Sequence, residues 1–368
     1  MNKNDDPWIT QQEAMDLLEN KTKKINAVSP SFCTAKWLQT TLMLQNGFNH
    51  SCHHPSPHKI PVSEVEENPA ALHNSKFKKE QRAKMLRGER PSECDYCWKI
   101  EDLGENYYSD RHHKSSDYWA WDRFEEIANS DPDADMYPSY LEVSFSNACN
   151  FACAYCSPEI SSKWMEDIKQ NGPYPVEFGS HHLDHIMELG KFPYKNSEHN
   201  PYVEAFWKWW PNLKNDLKVF RITGGEPLMR KDFSEILSLI SSLPIKITLT
   251  TNAVLIDKYL DDLKNAGVKS VNVSIDSLNE DELTHRLGRL DLAENDGSNE
   301  SLSEAINRCR PIVEEKVCSA LSKAKVERLR LAMLHLIEGG GKRLRATLPR
   351  IVGEALGNAH EGHDDVGA

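Results

Sequence analysis

Between residues 138 and 287 short runs of β-branched and aromatic residues alternate with amphipathic helical segments, and this alternation restricts the possible folds more than any other feature of the chain. The strand candidates are Tyr140 to Phe145, Leu217 to Ile222, Ile245 to Thr250 and Ser270 to Ile275. Between them, Asp232 to Glu235 reads as a capping box ahead of a face formed by Phe233, Ile236, Leu237 and Ile240. Ile256, Tyr259, Leu260 and Leu263 form a second face, stopped by Gly267. Strands alternating with helices make parallel βα units, whose working residues belong at the C-terminal ends of the strands. The stretch from Ser157 to Asp216 is long for such a connection and should hold helices of its own, with Phe206 to Trp210 packing one of them onto the sheet.

Cys149, Cys153 and Cys156 follow the first strand directly, three thiols within eight residues and without the fourth-ligand spacing of a closed zinc site. Three ligands leave a metal position open. A zinc knuckle completed by a distant ligand, or three ordinary buried thiols, is the competing reading. The triplet resembles the CxxxCxxC signature of the radical S-adenosylmethionine (SAM) superfamily, including the aromatic Tyr155 before its last cysteine. Gly224-Gly225-Glu226-Pro227, after the second strand, is similar to the GGEP motif of that family. The resemblance implies that Cys149, Cys153 and Cys156 hold a [4Fe–4S] cluster whose open iron is chelated by SAM, with Tyr155 near the adenine. Glu226, beside the close-approach glycines Gly224 and Gly225, is then the partner of the SAM amine. Thr250, Thr251 and Asn252 end the third strand, while Ser274 and Asp276 end the fourth, where the resemblance implies polar contacts to SAM or substrate. It further implies reductive cleavage of SAM to a 5′-deoxyadenosyl radical that abstracts a substrate hydrogen, with electrons from a reductant such as flavodoxin or ferredoxin.

Upstream, Cys33, Cys52, Cys94 and Cys97 make a set of four ligands closed by a CxxC pair, suited to structural zinc or to a fully ligated iron–sulfur cluster. Cys33 and Cys52 flank a hairpin signal at Asn46-Gly47, and Cys94 follows a basic helical stretch. His50, His53 and His54 crowd Cys52 and read as solvated loop residues, with substitution as a ligand the alternative. The arrangement resembles the auxiliary-cluster module called twitch or SPASM, placed before the barrel. That resemblance implies a second iron–sulfur cluster and a peptide as substrate, while zinc stays open.

Lys and Arg total 44 against 56 Asp and Glu, a net charge of −12, which argues against nucleic-acid or anionic-membrane partners. The first residues have no apolar core of a signal peptide, and no run approaches the ~18 apolar residues of a membrane span, so the expected location is cytoplasmic. The organisation read from the sequence is a helical segment at 1–26, a cysteine-rich module at 27–129, a partial (βα) barrel of about four parallel strands at 138–287, a linker at 288–300 and a helical tail at 301–368. Within the tail, residues 331–345 with Gly353 to Gly357 resemble the N-terminal segment of polyprenyl diphosphate synthases, with Lys342 and Arg343 matching its diphosphate-binding run and Ala346 in place of its proline. No aspartate-rich magnesium motif follows, and Asp364-Asp365 alone is not one. Two alternatives therefore stand beside radical SAM catalysis. One is a truncated or chimeric cluster-binding protein that does not complete the reaction. The other is a prenyl synthase.

Overall fold

The computed structural model describes residues 11–104, 107–153, 156–173, 182–241 and 243–274. Among these residues, seven strands form one sheet: β1 (Gln39–Met43), β2 (Phe48–His50), β3 (His58–Lys59), β4 (Tyr140–Ser144), β5 (Val219–Thr223), β6 (Lys246–Thr251) and β7 (Ser270–Val273). Their order is β3-β2-β1-β4-β5-β6-β7. From β1 through β7 the neighbours β1–β4, β4–β5, β5–β6 and β6–β7 all pair in parallel, while β2 and β3 run antiparallel at the edge. The four expected strands are present within one to two residues of their sequence bounds, and the mostly parallel sheet with intervening helices is the anticipated partial (βα) architecture.

The hairpin at Asn46-Gly47 also forms, but its first strand does more than pair with its own return. β1 lies alongside β4 in register Gln39 to Tyr140 through Met43 to Ser144, so the cysteine-rich segment supplies a fifth parallel strand. Periodicity alone could not reveal this, because a strand's partner is set by tertiary packing. Gly47 has φ +72°, and a Cβ there would meet the Tyr202 ring at 2.0 Å, so a side chain at this turn would displace the helix packed on the hairpin.

One face of the sheet is apolar. Leu42, Val143, Ile222 and Leu249 align across the strands and pack with Phe206, Trp209, Trp210 and Leu213 of the Pro201–Leu213 helix and with Phe233, Ile236, Leu237 and Ile240. The aromatic run at 206–210 is thus core packing, as its helical spacing indicated. A second core gathers Ile25, Phe32, Trp37, Leu38, Met85, Trp98, Trp119 and Phe124 around Cys33, Cys94 and Cys97, and Tyr140 and Val219 at the start of two strands pack against it. The basic helix, Lys76–Leu86, is not a solvated face throughout. Lys78 and Arg82 are buried, donating to the carbonyls of Gln39 and Lys36 respectively and to His73 and Asn74. Burial, reinforced by Arg82 and Lys36, drives the Lys78 ammonium well below the ordinary lysine range.

Candidate active site

The three downstream cysteines occupy the loop that leaves the C-terminal end of β4. None is in a disulfide, and all three are half-buried. The loop is held from both sides. The Ser162 hydroxyl donates to the Cys149 carbonyl at 3.1 Å and accepts from the Cys149 N–H at 3.0 Å, and the Trp164 indole donates to the Cys153 carbonyl at 2.9 Å. The Cys156 N–H donates to the Cys153 carbonyl at 2.9 Å, closing a turn between two of the thiols. Burial pushes the Cys149 thiol up, against the pull of the Phe151 N–H, which points at its sulfur at 3.5 Å.

The Gly-Gly-Glu-Pro turn closes onto this loop. Gly224 has φ +82°, and a Cβ would lie 1.7 Å from Ser144 Oγ; at Gly225 it would lie 2.3 Å from the Ala148 carbonyl oxygen. Glycine is therefore required by contact with the strand and with the cysteine loop, as well as by backbone freedom. Glu226 is only 1% exposed. Its carboxylate accepts from the Leu228 N–H at 3.0 Å, the Thr251 hydroxyl at 2.6 Å and the Asn252 N–H at 2.7 Å. Burial raises its pKa above the ordinary glutamate range, with those three donors opposing the rise. The Asn252 side chain donates to Asn150 Oδ1 at 2.8 Å, between Cys149 and Phe151 in the chain. Glu226, Asn252 and the cysteine loop thus form one hydrogen-bonded unit, and Ala253 beside it has a strained φ of +64°. Ser274 extends the sheet through its N–H to the Thr251 carbonyl at 2.9 Å, with its side chain exposed. Tyr155 and Asp276 lie outside the described residues, as does the tail with Lys342, Arg343 and Ala346.

Cys33, Cys52, Cys94 and Cys97, separated by up to 64 residues in sequence, line one cavity together with Lys36, Met85, Trp98, Arg111 and Lys114. Among the described residues, no three His, Cys, Asp or Glu side chains close on a single metal position. The four thiols surround a space. Burial pushes Cys52 and Cys97 up to about 12 and Cys94 up to about 11. Such thiols ionise when a metal replaces their protons. The Ser115 hydroxyl donates to Cys33 Sγ at 3.9 Å, and the rise at the other three thiols is opposed by the His54 N–H at Cys52, by Lys36 at Cys94 and by the Arg111 N–H and the Ser109 hydroxyl at Cys97. Lys36, 2% exposed, is paired with Glu93. Burial works against its charge, but Cys94, Glu93 and Cys52 outweigh that and hold it above the ordinary lysine range.

The adjacent histidines are not solvated as a group. His50 is 7% exposed and contacts the Cys52 carbonyl, and burial lowers its pKa to about 4. His54 stacks on Tyr96 at 3.7 Å and bonds Asp110 at 2.7 Å. Sequence reading missed Asn150, Ser162 and Trp164 below the triplet and Lys36, Ser115 and Arg111 around the cavity. Only their nearness to cysteines in the chain or in space marks them.

Residues 143–321 match the radical SAM superfamily. This chain carries a radical SAM domain. The superfamily is one of enzymes that use a [4Fe–4S] cluster, SAM and an external reductant. Curated relatives include proteins named GTP 3′,8-cyclase. That of Campylobacter lari is 29% identical over 209 residues, covering 54% of this chain and 56% of the relative. That of Alkaliphilus metalliredigens is 34% identical over 147 residues, 39% of this chain and 36% of the relative. That of Helicobacter pylori is 27% identical over 209 residues, with 54% and 56% covered. The chain spans about half the length of these relatives, or less. Among the described residues, no helix is long and apolar enough to cross a membrane.

Proposed function

We propose that this chain is an enzyme that cleaves SAM reductively and abstracts hydrogen from a peptide substrate, with a second iron–sulfur cluster held by the upstream cysteines. The observation that carries the reading is the loop of Cys149, Cys153 and Cys156, which presents three half-buried thiols and is tied through Asn150 and Asn252 to the Glu226 turn. A three-thiol set leaves a cluster one open position, so the donor set fits a [4Fe–4S] cluster with SAM. When bound, these groups supply one-electron cleavage of SAM and, with it, a carbon radical able to take a substrate hydrogen.

The chain's residues hold and orient. Cys149, Cys153 and Cys156 bind iron. Glu226 accepts three hydrogen bonds, and a carboxylate has about four lone-pair positions, so one remains for an ammonium. Asn252 fixes that carboxylate relative to the cysteine loop, and Gly224 and Gly225 let the turn pack directly on Ser144 and Ala148. Upstream, four thiols lining one cavity suit a fully ligated cluster whose anionic charge Lys36 offsets.

A second reading takes GTP as substrate and rests on the relatives' name. Both are tested on the anaerobically reconstituted chain. Two cubane clusters require about eight iron and as much sulfide, and one cluster beside zinc about four. Dithionite with SAM should release 5′-deoxyadenosine. Failure to release it would favour a cluster-binding protein without catalysis, and conversion of added GTP would favour the second reading.

A further inference from the structure

One face of the Lys76–Leu86 helix is buried in the upstream module, and Lys78, Arg82 and Met85 recur along it at helical spacing. Met85 lines the cavity of the four thiols. Lys78 and Arg82 are 1% and 0% exposed, and Lys36, from the facing Ala35–Leu38 helix, also lines the cavity while its carbonyl accepts from Arg82 at 3.3 Å. Three buried basic side chains thus share one buried carboxylate, Glu93, which is paired with Lys36. Among the described residues no carboxylate touches Lys78 or Arg82, since Asp135, whose charge reaches Arg82, is bound to Lys79 at 2.7 Å. A buried cation without a counter-ion is costly, so this excess of base calls for an anion nearby.

The surroundings of Lys78 suit either charge state of its nitrogen. His73 Nε2 lies 2.6 Å from the Trp37 carbonyl and so carries the ring proton, which leaves Nδ1 as an acceptor 2.8 Å from Lys78 Nζ. The Gln39 carbonyl accepts from the same nitrogen at 3.4 Å. Both acceptors are neutral, and they hold an ammonium or an amine alike. The charges of Arg82 and Lys36 oppose an ammonium there, and those of Glu93 and Cys52 favour one. His50 and His58, whose burial lowers them to about 4 and about 3, are feebler bases than an amine.

Charge balance decides between the two states. Four thiolates around a divalent metal make a dianion, and so do four thiolates around an oxidised [4Fe–4S] core of two positive charges. While the cavity is empty, Lys36 and Arg82 outnumber Glu93, and an ammonium at Lys78 would enlarge the excess. Once the cavity holds a dianion, these fixed charges fall one short of neutrality, and an ammonium at Lys78 restores it. Arg111 does not alter the balance, because Glu101 is bound to it at 2.8 Å, and Lys114 and Asp110 on the cavity wall carry opposite charges.

We propose that Lys78 supplies the counter-charge of the upstream centre, as an amine while the cavity is empty and as an ammonium once four thiolates and a metal fill it. The proposal rests on the reading of Cys33, Cys52, Cys94 and Cys97 as metal ligands. In the balanced step a divalent metal displaces one proton from each of the four thiols, the Lys78 amine takes up one proton, and three pass to solvent. No electron moves. Lys78 acts through its charge without touching the metal, and because the two events are linked, each favours the other.

The test titrates zinc into the full chain carrying Cys149→Ala, Cys153→Ala and Cys156→Ala, so that the downstream loop does not compete. Binding heats at neutral pH in buffers of different ionisation enthalpy give the protons released per zinc, and competition with a chelator gives the affinity. With Lys78 intact, about three protons should leave per zinc. Lys78→Met should release about four and bind zinc at least tenfold more weakly. Lys78→Arg, charged from the start, should also release about four, yet bind within about threefold of the parent. Circular dichroism reports the fold of each variant. Release of four protons by the parent overturns the proposal whatever the variants do. An unchanged count in Lys78→Met moves the uptake to a histidine, and equal weakening by Met and Arg makes the residue a packing element; either result also overturns it. A parent that takes no zinc removes the cysteine reading and this proposal with it, whereas zinc bound with four protons released removes the role of Lys78 alone.

Discussion

The two cysteine sets are anchored to the same sheet but finished to different degrees. The downstream three sit half-buried on a loop whose hydrogen bonds go to the backbone beside the thiols, from Ser162 and Trp164. The upstream four line a cavity inside a core, with the Ser115 hydroxyl donating to one of them and a buried lysine among them. An open, three-ligand loop suits a group that must exchange a ligand and meet a substrate. A closed, four-ligand cavity suits a group that stays put. The difference teaches that ligand count and burial together separate a reactive site from an electron-holding or structural one.

The largest effect that would break this contrast is at Cys153. Cys153→Ala should abolish 5′-deoxyadenosine release and remove about half of the iron, leaving the upstream share, because no residue is common to the two sets. Loss of all iron would mean that the sets assemble as one unit, and retained cleavage would remove the triplet from the reaction.

How much of this was legible beforehand follows from which interactions are local. The strands at 140, 217, 245 and 270, the triplet and the Gly-Gly-Glu-Pro turn are written in short segments, and the structure has each close to its expected place. The gathering of Cys33, Cys52, Cys94 and Cys97 was legible from ligand arithmetic. Two things were not. β1 reads as half of a hairpin, and only its parallel pairing with β4 makes the cysteine-rich segment part of the main sheet. Nothing near Glu226 in the chain tells that its carboxylate is buried, since Thr251 and Asn252, which donate to it, are 25 and 26 residues away. The Glu142–Arg221 pair likewise exists only through register, since the two residues are 79 positions apart.

Lys36 sharpens the comparison from the upstream side. Lys36→Met leaves Glu93, 11% exposed, as a buried carboxylate without its cation, at a cost of about 3–5 kcal/mol. Thermal or denaturant unfolding should register that loss, and the upstream metal should load less readily while the Cys149 loop still binds iron. Equal stability would show that the cavity does not depend on its buried charge. On the downstream side, Gly225→Ala places a Cβ 2.3 Å from the Ala148 carbonyl at φ +30°, which costs about 1–3 kcal/mol in backbone strain and pushes the Glu226 turn off the cysteine loop. SAM affinity should fall more than iron content. The reverse order would assign the turn to cluster assembly instead.

Ser115→Ala has the smallest expected effect and asks what the upstream cavity holds. The Ser115 hydroxyl donates to Cys33 Sγ at 3.9 Å while accepting from the Thr34 N–H at 3.1 Å, so its loss removes a weak donor from sulfur without changing the ligand set. A hydrogen bond of about 0.5–1 kcal/mol that favours the more negative, reduced cluster corresponds to about 20–40 mV for one electron. If the cavity holds an iron–sulfur cluster, its midpoint potential, followed by electron paramagnetic resonance during a redox titration, should shift down by that amount, with iron content unchanged. The downstream cluster, which has no contact with Ser115 in the described hydrogen-bond network, should keep its potential. If the cavity holds zinc, no second redox signal exists to shift, and the same substitution changes only metal affinity. One variant thus separates the two metals that cysteine spacing alone leaves equal, and tests whether the donors around the four thiols tune a cluster or merely complete a structural site.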